Sequence, residues 1–246
     1  MDARAPIRAP VFEIGLKGYA WGAEAVRLAR VADALAGELD VCIVFDPQAV
    51  DIADVARATR HIQVFAQHLD PAPPGRGVGG ILAEAVREAG ATGAMLNHSE
   101  RRMSRDEIVR SLGRARAVGL ATMVYADSPE EAAEMATLGP DIVLAEPPEL
   151  IATSRSAASE MGGFVERAVE LVRRIDPAII VMCGAGIQTP NDVERMMALG
   201  VGGTGSSSGI LRSADPVATM EGMVRAMHRA WNQRSGGGAD PAGTRG

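Results

Sequence analysis

Short apolar or β-branched runs alternate with longer amphipathic stretches along this chain, and that alternation restricts its fold more than any other feature. Repeated strand-then-helix units build a parallel sheet whose strands are covered on both faces. The strands expected are Val11–Leu16, Val41–Phe45, Gln63–Gln67, Ala94–Asn97, Ala121–Tyr125, Ile142–Ala145, Ile179–Cys183 and Gly203–Ser206. Most are nearly continuous apolar runs, as double coverage requires. Between them, Ser128-Pro129-Glu130-Glu131 and Thr189-Pro190-Asn191-Asp192 each place a capping hydroxyl, an N1 proline and acidic residues at a helix start. Gly119, Gly139 and Gly200 follow helical patterns and suit the left-handed position just past a helix C-terminus.

A chain of 246 residues, 47% of them hydrophobic, fits one large α/β domain better than two small ones with a marginal core each. Polar residues stand at the C-terminal ends of the first, fourth, sixth, seventh and eighth expected strands. An open doubly wound sheet binds ligand at a single switch point, whereas a closed barrel brings all its strand ends to one mouth. The closed (β/α)8 barrel over residues 11–234 is therefore the expected architecture. Residues 1–10 and 235–246 are too rich in Gly, Pro and small side chains to bury much surface, and are expected to be mobile extensions that carry no chemistry.

The net charge of −6 is made of interspersed acidic and basic residues, without the basic stripe that a nucleic acid partner requires. No apolar run approaches the ~20 residues that span a bilayer, and the opening MDARAPIRAP lacks the apolar centre of a secretory signal. A soluble protein with no membrane partner is expected. Cys42 and Cys183 lie far apart inside apolar runs, without metal-ligand spacing, so neither a disulfide nor a metal site is expected and a reducing cytoplasm is the simplest compartment.

Candidate chemistry sits at the strand ends. In order these read Gly15-Leu16-Lys17, then Leu96-Asn97-His98-Ser99-Glu100-Arg101-Arg102, Ala145-Glu146-Pro147-Pro148-Glu149-Leu150-Ile151, Cys183-Gly184-Ala185-Gly186-Ile187, and Ser206-Ser207-Ser208-Gly209. Taken singly, each has an ordinary explanation: a solvated lysine, a loop histidine, a carboxylate before a proline, tight glycine turns. As an ordered set, from about Val11 to Leu211, they resemble the site motifs of the triosephosphate isomerase family in its compact, archaeal-type branch.

That resemblance implies a single TIM barrel that interconverts dihydroxyacetone phosphate and glyceraldehyde 3-phosphate through an enediolate, with no metal or organic cofactor and commonly as a homo-oligomer. A proton next to a carbonyl is weakly acidic, so such chemistry needs a positioned base and hydrogen-bond donors for the oxyanion. Glu146 matches the family's base, His98 its electrophile and Lys17 its lysine; Glu100 matches the glutamate that pairs with that lysine, a surface ion pair with Arg101 or Arg102 being its alternative. In this family the imidazole is known to stay neutral beside a helix N-terminus, and a short helical turn at Ser99-Glu100 would turn N–H groups toward His98. Phosphate would rest on Gly184-Ala185-Gly186 and Ser207-Ser208, with main-chain contact from Ile151 and Ala152 in a lid running from Pro147 to Ser154.

Two positions depart from the pattern. Gly15 stands where the family usually has Asn, which removes a side-chain hydrogen bond and opens space beside the substrate. Ala152-Thr153-Ser154 stands where the lid usually reads Gly-Thr-Gly. A roomier site would accept a four-carbon ketose phosphate such as an erythrulose phosphate, and a phosphate-binding barrel without turnover is the alternative from another class.

Overall fold

The computed structural model describes residues 6–147 and 162–235. Eight strands, β1 (Val11–Gly15), β2 (Cys42–Asp46), β3 (Gln63–Ala66), β4 (Gly93–Leu96), β5 (Ala121–Ala126), β6 (Ile142–Ala145), β7 (Ile180–Cys183) and β8 (Gly203–Ser206), close into one barrel in chain order. Every neighbouring pair is parallel, and β8 closes on β1 with Val11 opposite Gly203. Helices α1 (Gly22–Glu38), α2 (Ile52–Ala58), α3 (Ala83–Glu88), α4 (Arg105–Ala117), α5 (Pro129–Ala136), α6 (Gly162–Ile175), α7 (Pro190–Ala198), α8 (Ser208–Leu211) and α9 (Pro216–Ser235) follow the strands. The expected barrel is the observed one. Several strand ends move by a residue, because Lys17 and Asn97 leave the extended conformation with φ of 46° and 62°.

The alternation of each strand sorts its side chains between two cores. Phe12, Ile14, Phe45 and Leu96 point outward into the layer shared with the helices. Val11, Val44, Phe65, Met95, Met123, Tyr125 and Met182 point inward and fill the barrel itself. Small and large residues must alternate across such a narrow interior. Gly93, directly opposite Phe65 in the β3–β4 register, shows this: a Cβ there would lie 2.3 Å from the Phe65 ring. The extension expected over residues 1–10 overlaps this packing, since Ile7 rests on the inner cluster and Pro10 is buried. Residues 236–246, expected to form the other extension, lie outside the described residues.

The helix signals act as the sequence suggests. Ser128 Oγ accepts the Glu131 N–H at 3.0 Å, and Thr189 forms a reciprocal capping box with Asp192, as Ser104 does with Glu107. Gly119, Gly139 and Gly200 adopt φ of 70°, 68° and 90° past their helices. No helix among the described residues is long and apolar enough to cross a membrane.

The Gly93–Phe65 contact can be tested directly. Gly93→Ala forces the buried ring aside and should lower stability by about 1–3 kcal/mol in urea unfolding. A variant that unfolds at the wild-type midpoint would show that the ring has room to turn.

Candidate active site

Lys17 stands just past β1 in a left-handed conformation that a long side chain adopts only under constraint. The constraint is visible: its carbonyl accepts the side-chain amides of Gln48 and of Gln67, the latter at 3.1 Å, and Gln67 also bonds the Asp46 carbonyl at 2.9 Å. So held, the side chain points over the barrel mouth, where Nζ meets Glu100 Oε1 at 2.6 Å. The expected lysine–glutamate pair is formed. Arg102 instead pairs with Asp127 and Glu131, and Arg101 approaches Asp70.

His98 follows β4 on a loop clamped by Asn97. The buried Asn97 side chain donates to the Tyr125 carbonyl at 3.0 Å and accepts the Met103 N–H at 3.1 Å, while its own carbonyl accepts from Arg102 at 3.2 Å. Residues 98–101 form a turn and not a helix, closed by the Arg101 N–H on the His98 carbonyl at 2.8 Å. The turn still aims a main-chain donor at the ring: the Glu100 N–H bonds His98 Nδ1 at 3.0 Å. Nδ1 is then the acceptor and Nε2 carries the hydrogen that faces a ligand. Burial, and after it the charge of Lys17, hold the imidazole pKa down to about 4, so the ring is neutral. Its edge rests on Tyr125, with ring centres 4.7 Å apart.

Glu146 leaves β6 with its N–H on the Ala126 carbonyl at 2.9 Å. Its Oε1 accepts the Ala185 N–H at 3.1 Å. Gly184, expected to touch the phosphate, lies off the cavity wall and serves Glu146: a Cβ at 184 would stand 2.3 Å from Oε1, so only glycine leaves the carboxylate its place. Burial first, and then the charge of Glu13, push the Glu146 pKa up to about 7, against the opposing pull of Lys17 and the Ala185 N–H.

The β7 and β8 loops are tied together around the opposite side of the mouth. Thr204 Oγ1 donates to the Cys183 carbonyl and Ser206 Oγ to the Ile187 carbonyl, both at 2.7 Å. Ala185 and Gly186 are consecutive left-handed residues, with φ of 70° and 67°. Ser207 precedes α8, and its hydroxyl is buried without a partner among the described residues. That hydroxyl gives this side a donor for an anion.

Gly15, Lys17, His98, Glu100, Glu146, Ala185, Gly186, Ser207 and Ser208 all line one cavity of about 360 Å³. Ile151 and Ala152 lie outside the described residues. The wall has further members that the sequence did not announce, among them Glu13, Asp46, Gln48, Gln67 and Tyr125. Sequence reasoning also misjudged Gly15. The space beside that residue is not open, because Glu13 Oε1 lies 2.4 Å from the position a Cβ would take. The signal available for Glu13 and Asp46 was a charged residue inside or against an apolar strand that is buried on both faces.

The chain matches the family model described as triosephosphate isomerase over residues 14–224. Among curated relatives, the triosephosphate isomerase of Methanobacterium bryantii is 38% identical, over 87% of this chain and 96% of that one. Those of Methanosarcina barkeri and Saccharolobus solfataricus are 36% and 34% identical, over 88% and 91% of this chain and 98% and 99% of theirs. The crystal structure of triosephosphate isomerase from Bartonella henselae superimposes with a TM-score of 0.70 over 91% of this chain and all of its own; at 19% identity that match speaks for the fold alone. A closed eight-stranded barrel, a shared cavity holding the expected acid, imidazole and ammonium, and identities above 30% along most of the sequence lead to one assignment: the chain belongs to the triosephosphate isomerase family.

Proposed function

We propose that this protein interconverts dihydroxyacetone phosphate and glyceraldehyde 3-phosphate, with Glu146 moving the proton between C1 and C2. The observation that carries this reading is the Glu146 carboxylate itself, fixed by the Ala185 N–H, poised near neutral pH, and sharing its cavity with the two donors that an enediolate needs. The phosphate rests against Ala185, Gly186, Ser207 and Ser208, which sets the carbon chain between Glu146 and the Lys17–His98 side. Glu146 takes the proton from C1, and the charge that develops on O2 is met by the Lys17 ammonium and the His98 Nε2–H. The neutral imidazole gives its Nε2 proton to O2, becomes an imidazolate, and takes the proton from O1, so that it ends in its starting state. Glu146 then returns its proton to C2. Glu100 orients the ammonium, and its own N–H fixes the imidazole tautomer. The four-carbon alternative loses the premise drawn from Gly15, since Glu13 fills the space beside it, while the altered lid at Ala152-Thr153-Ser154 lies outside the described residues.

The surroundings of the mouth support a homo-oligomer, as is common in the family. Tyr19, Trp21 and Val50 expose large apolar surface on the loops after β1 and β2, with Trp21 66% exposed. A cytoplasmic place in triose metabolism accords with two unpaired cysteines.

Three measurements test this function. Glu146→Asp withdraws the base by one methylene and should lower kcat by about 10²-fold with little change in KM; wild-type turnover would remove Glu146 from the role of base. Glu146 must be ionised to act, so kcat/KM should fall as pH drops through about 7, while His98, neutral down to about pH 4, adds no second bend between pH 5 and 7. A profile level down to pH 5 would contradict the base assignment. Trp21→Glu should shift the particle mass in light scattering toward the monomer, and an unchanged mass would place the subunit contact elsewhere.

A further inference from the structure

Two carboxyl groups in the wall of the cavity touch no substrate atom in the mechanism above, although the charge of Glu13 raises the Glu146 pKa. Glu13 points inward from the middle of β1, and Asp46 ends β2 on the adjacent strand, opposite Gly15 in the register. Asp46 is fully enclosed, and neither of its oxygens meets an N–H or hydroxyl donor among the described residues. The Glu13 carboxyl is the charged neighbour that acts on it. Two enclosed carboxyls side by side cannot both ionise, so the pair holds one proton. Burial first, and then the charge of Glu13, push the Asp46 pKa well up, and burial raises Glu13 as well. Glu13 faces the cavity, where the charge of Lys17 favours its ionised form against that burial.

The placement of Glu13 is specific. Its Oε1 stands 2.4 Å from where a side chain at position 15 would begin, and its Oε2 stands 2.3 Å from the same point on Gly205. Both glycines are needed for this carboxyl to lie where it does. An enclosed acid pair is costly to keep for packing alone, since apolar residues of similar volume fill such a space better. We propose that Glu13, backed by Asp46, is a further substrate-binding residue of this site, which accepts a hydrogen bond from the free hydroxyl of the phosphorylated triose and does from position 13 what Gly15 cannot do. The inference rests on the isomerase reading, and it assigns to Glu13 recognition of the hydroxyl, not of the phosphate or the carbonyl.

The test pairs dihydroxyacetone phosphate with hydroxyacetone phosphate, which has the same carbonyl and phosphate but lacks the free hydroxyl. Glu13→Val should raise KM for the former about tenfold or more, as expected for losing a hydrogen bond to a charged acceptor, and leave the inhibition constant of the latter within about threefold. Glu13→Met, which fills nearly the original volume without an oxygen, should give the same split and serves where valine impairs folding. Adding Gly15→Asn to Glu13→Val places an amide in the vacated position and should recover most of the lost KM. An unchanged KM in both single variants, or an equal loss for both ligands, overturns the proposal. A wild-type chain that does not isomerise the triose would overturn the isomerase reading itself.

Discussion

The ammonium of Lys17 governs the electrostatics of the barrel mouth. It bonds Glu100, draws down the pKa of Glu13, Glu100 and Glu146, and helps to keep His98 neutral. One cation thus acts on every titrating group that the reaction uses, so its position cannot be left to a mobile side chain. The chain fixes it through the backbone: a left-handed residue at a strand end, its carbonyl caught by amides from the loops after β2 and β3.

Barrel closure makes this economy of charge possible. Inward positions on eight parallel strands face one another across a narrow interior, so each added polar side chain must be matched by the absence of another. Gly184 gives way to the Glu146 carboxylate, and Gly15 and Gly205 give way to Glu13, as Gly93 gives way to Phe65 in the layer below. These glycines are read poorly as flexible points. Gly15, Gly93, Gly184 and Gly205 all have ordinary backbone angles, and what they provide is missing volume.

Much of this was legible in the sequence, and the parts that were not share a physical reason. Strand-helix alternation, the capping hydroxyls of Ser128 and Thr189, and the left-handed glycines after helices are local signals, and local physics places them. Lys17, His98, Glu100 and Glu146 were found because each sits at a strand end, where the chain order of the motifs announces them. Glu13 stood out as a charge within an apolar strand, but nothing in its own segment says which side of a doubly covered strand faces the barrel axis. Gly15 was misread for the same reason: an absent side chain looks like open space until the neighbour that fills it is known. The turn at His98 shows the converse case, in which the expected helix is missing but the donor it was to supply is present through Glu100.

The base is tuned by opposition. Burial and the charge of Glu13 raise the Glu146 pKa, and Lys17 with the Ala185 N–H lowers it, leaving it at about 7. A carboxylate drawn further down would be too weak a base for a proton beside a carbonyl, and one pushed further up would stand protonated at neutral pH. The Ala185 N–H that bonds Glu146 belongs to the β7 loop, whose Ala185 and Gly186 also line the cavity, so the support of the carboxylate and the proposed anion surface are one segment of chain. An arriving phosphate adds negative charge to a cavity already rich in carboxyls. That raises Glu146 further toward its protonated form and makes the single ammonium more necessary. Burial raises the pKa of both Glu13 and Asp46, which disfavours a second negative charge beside the substrate and limits the same accumulation.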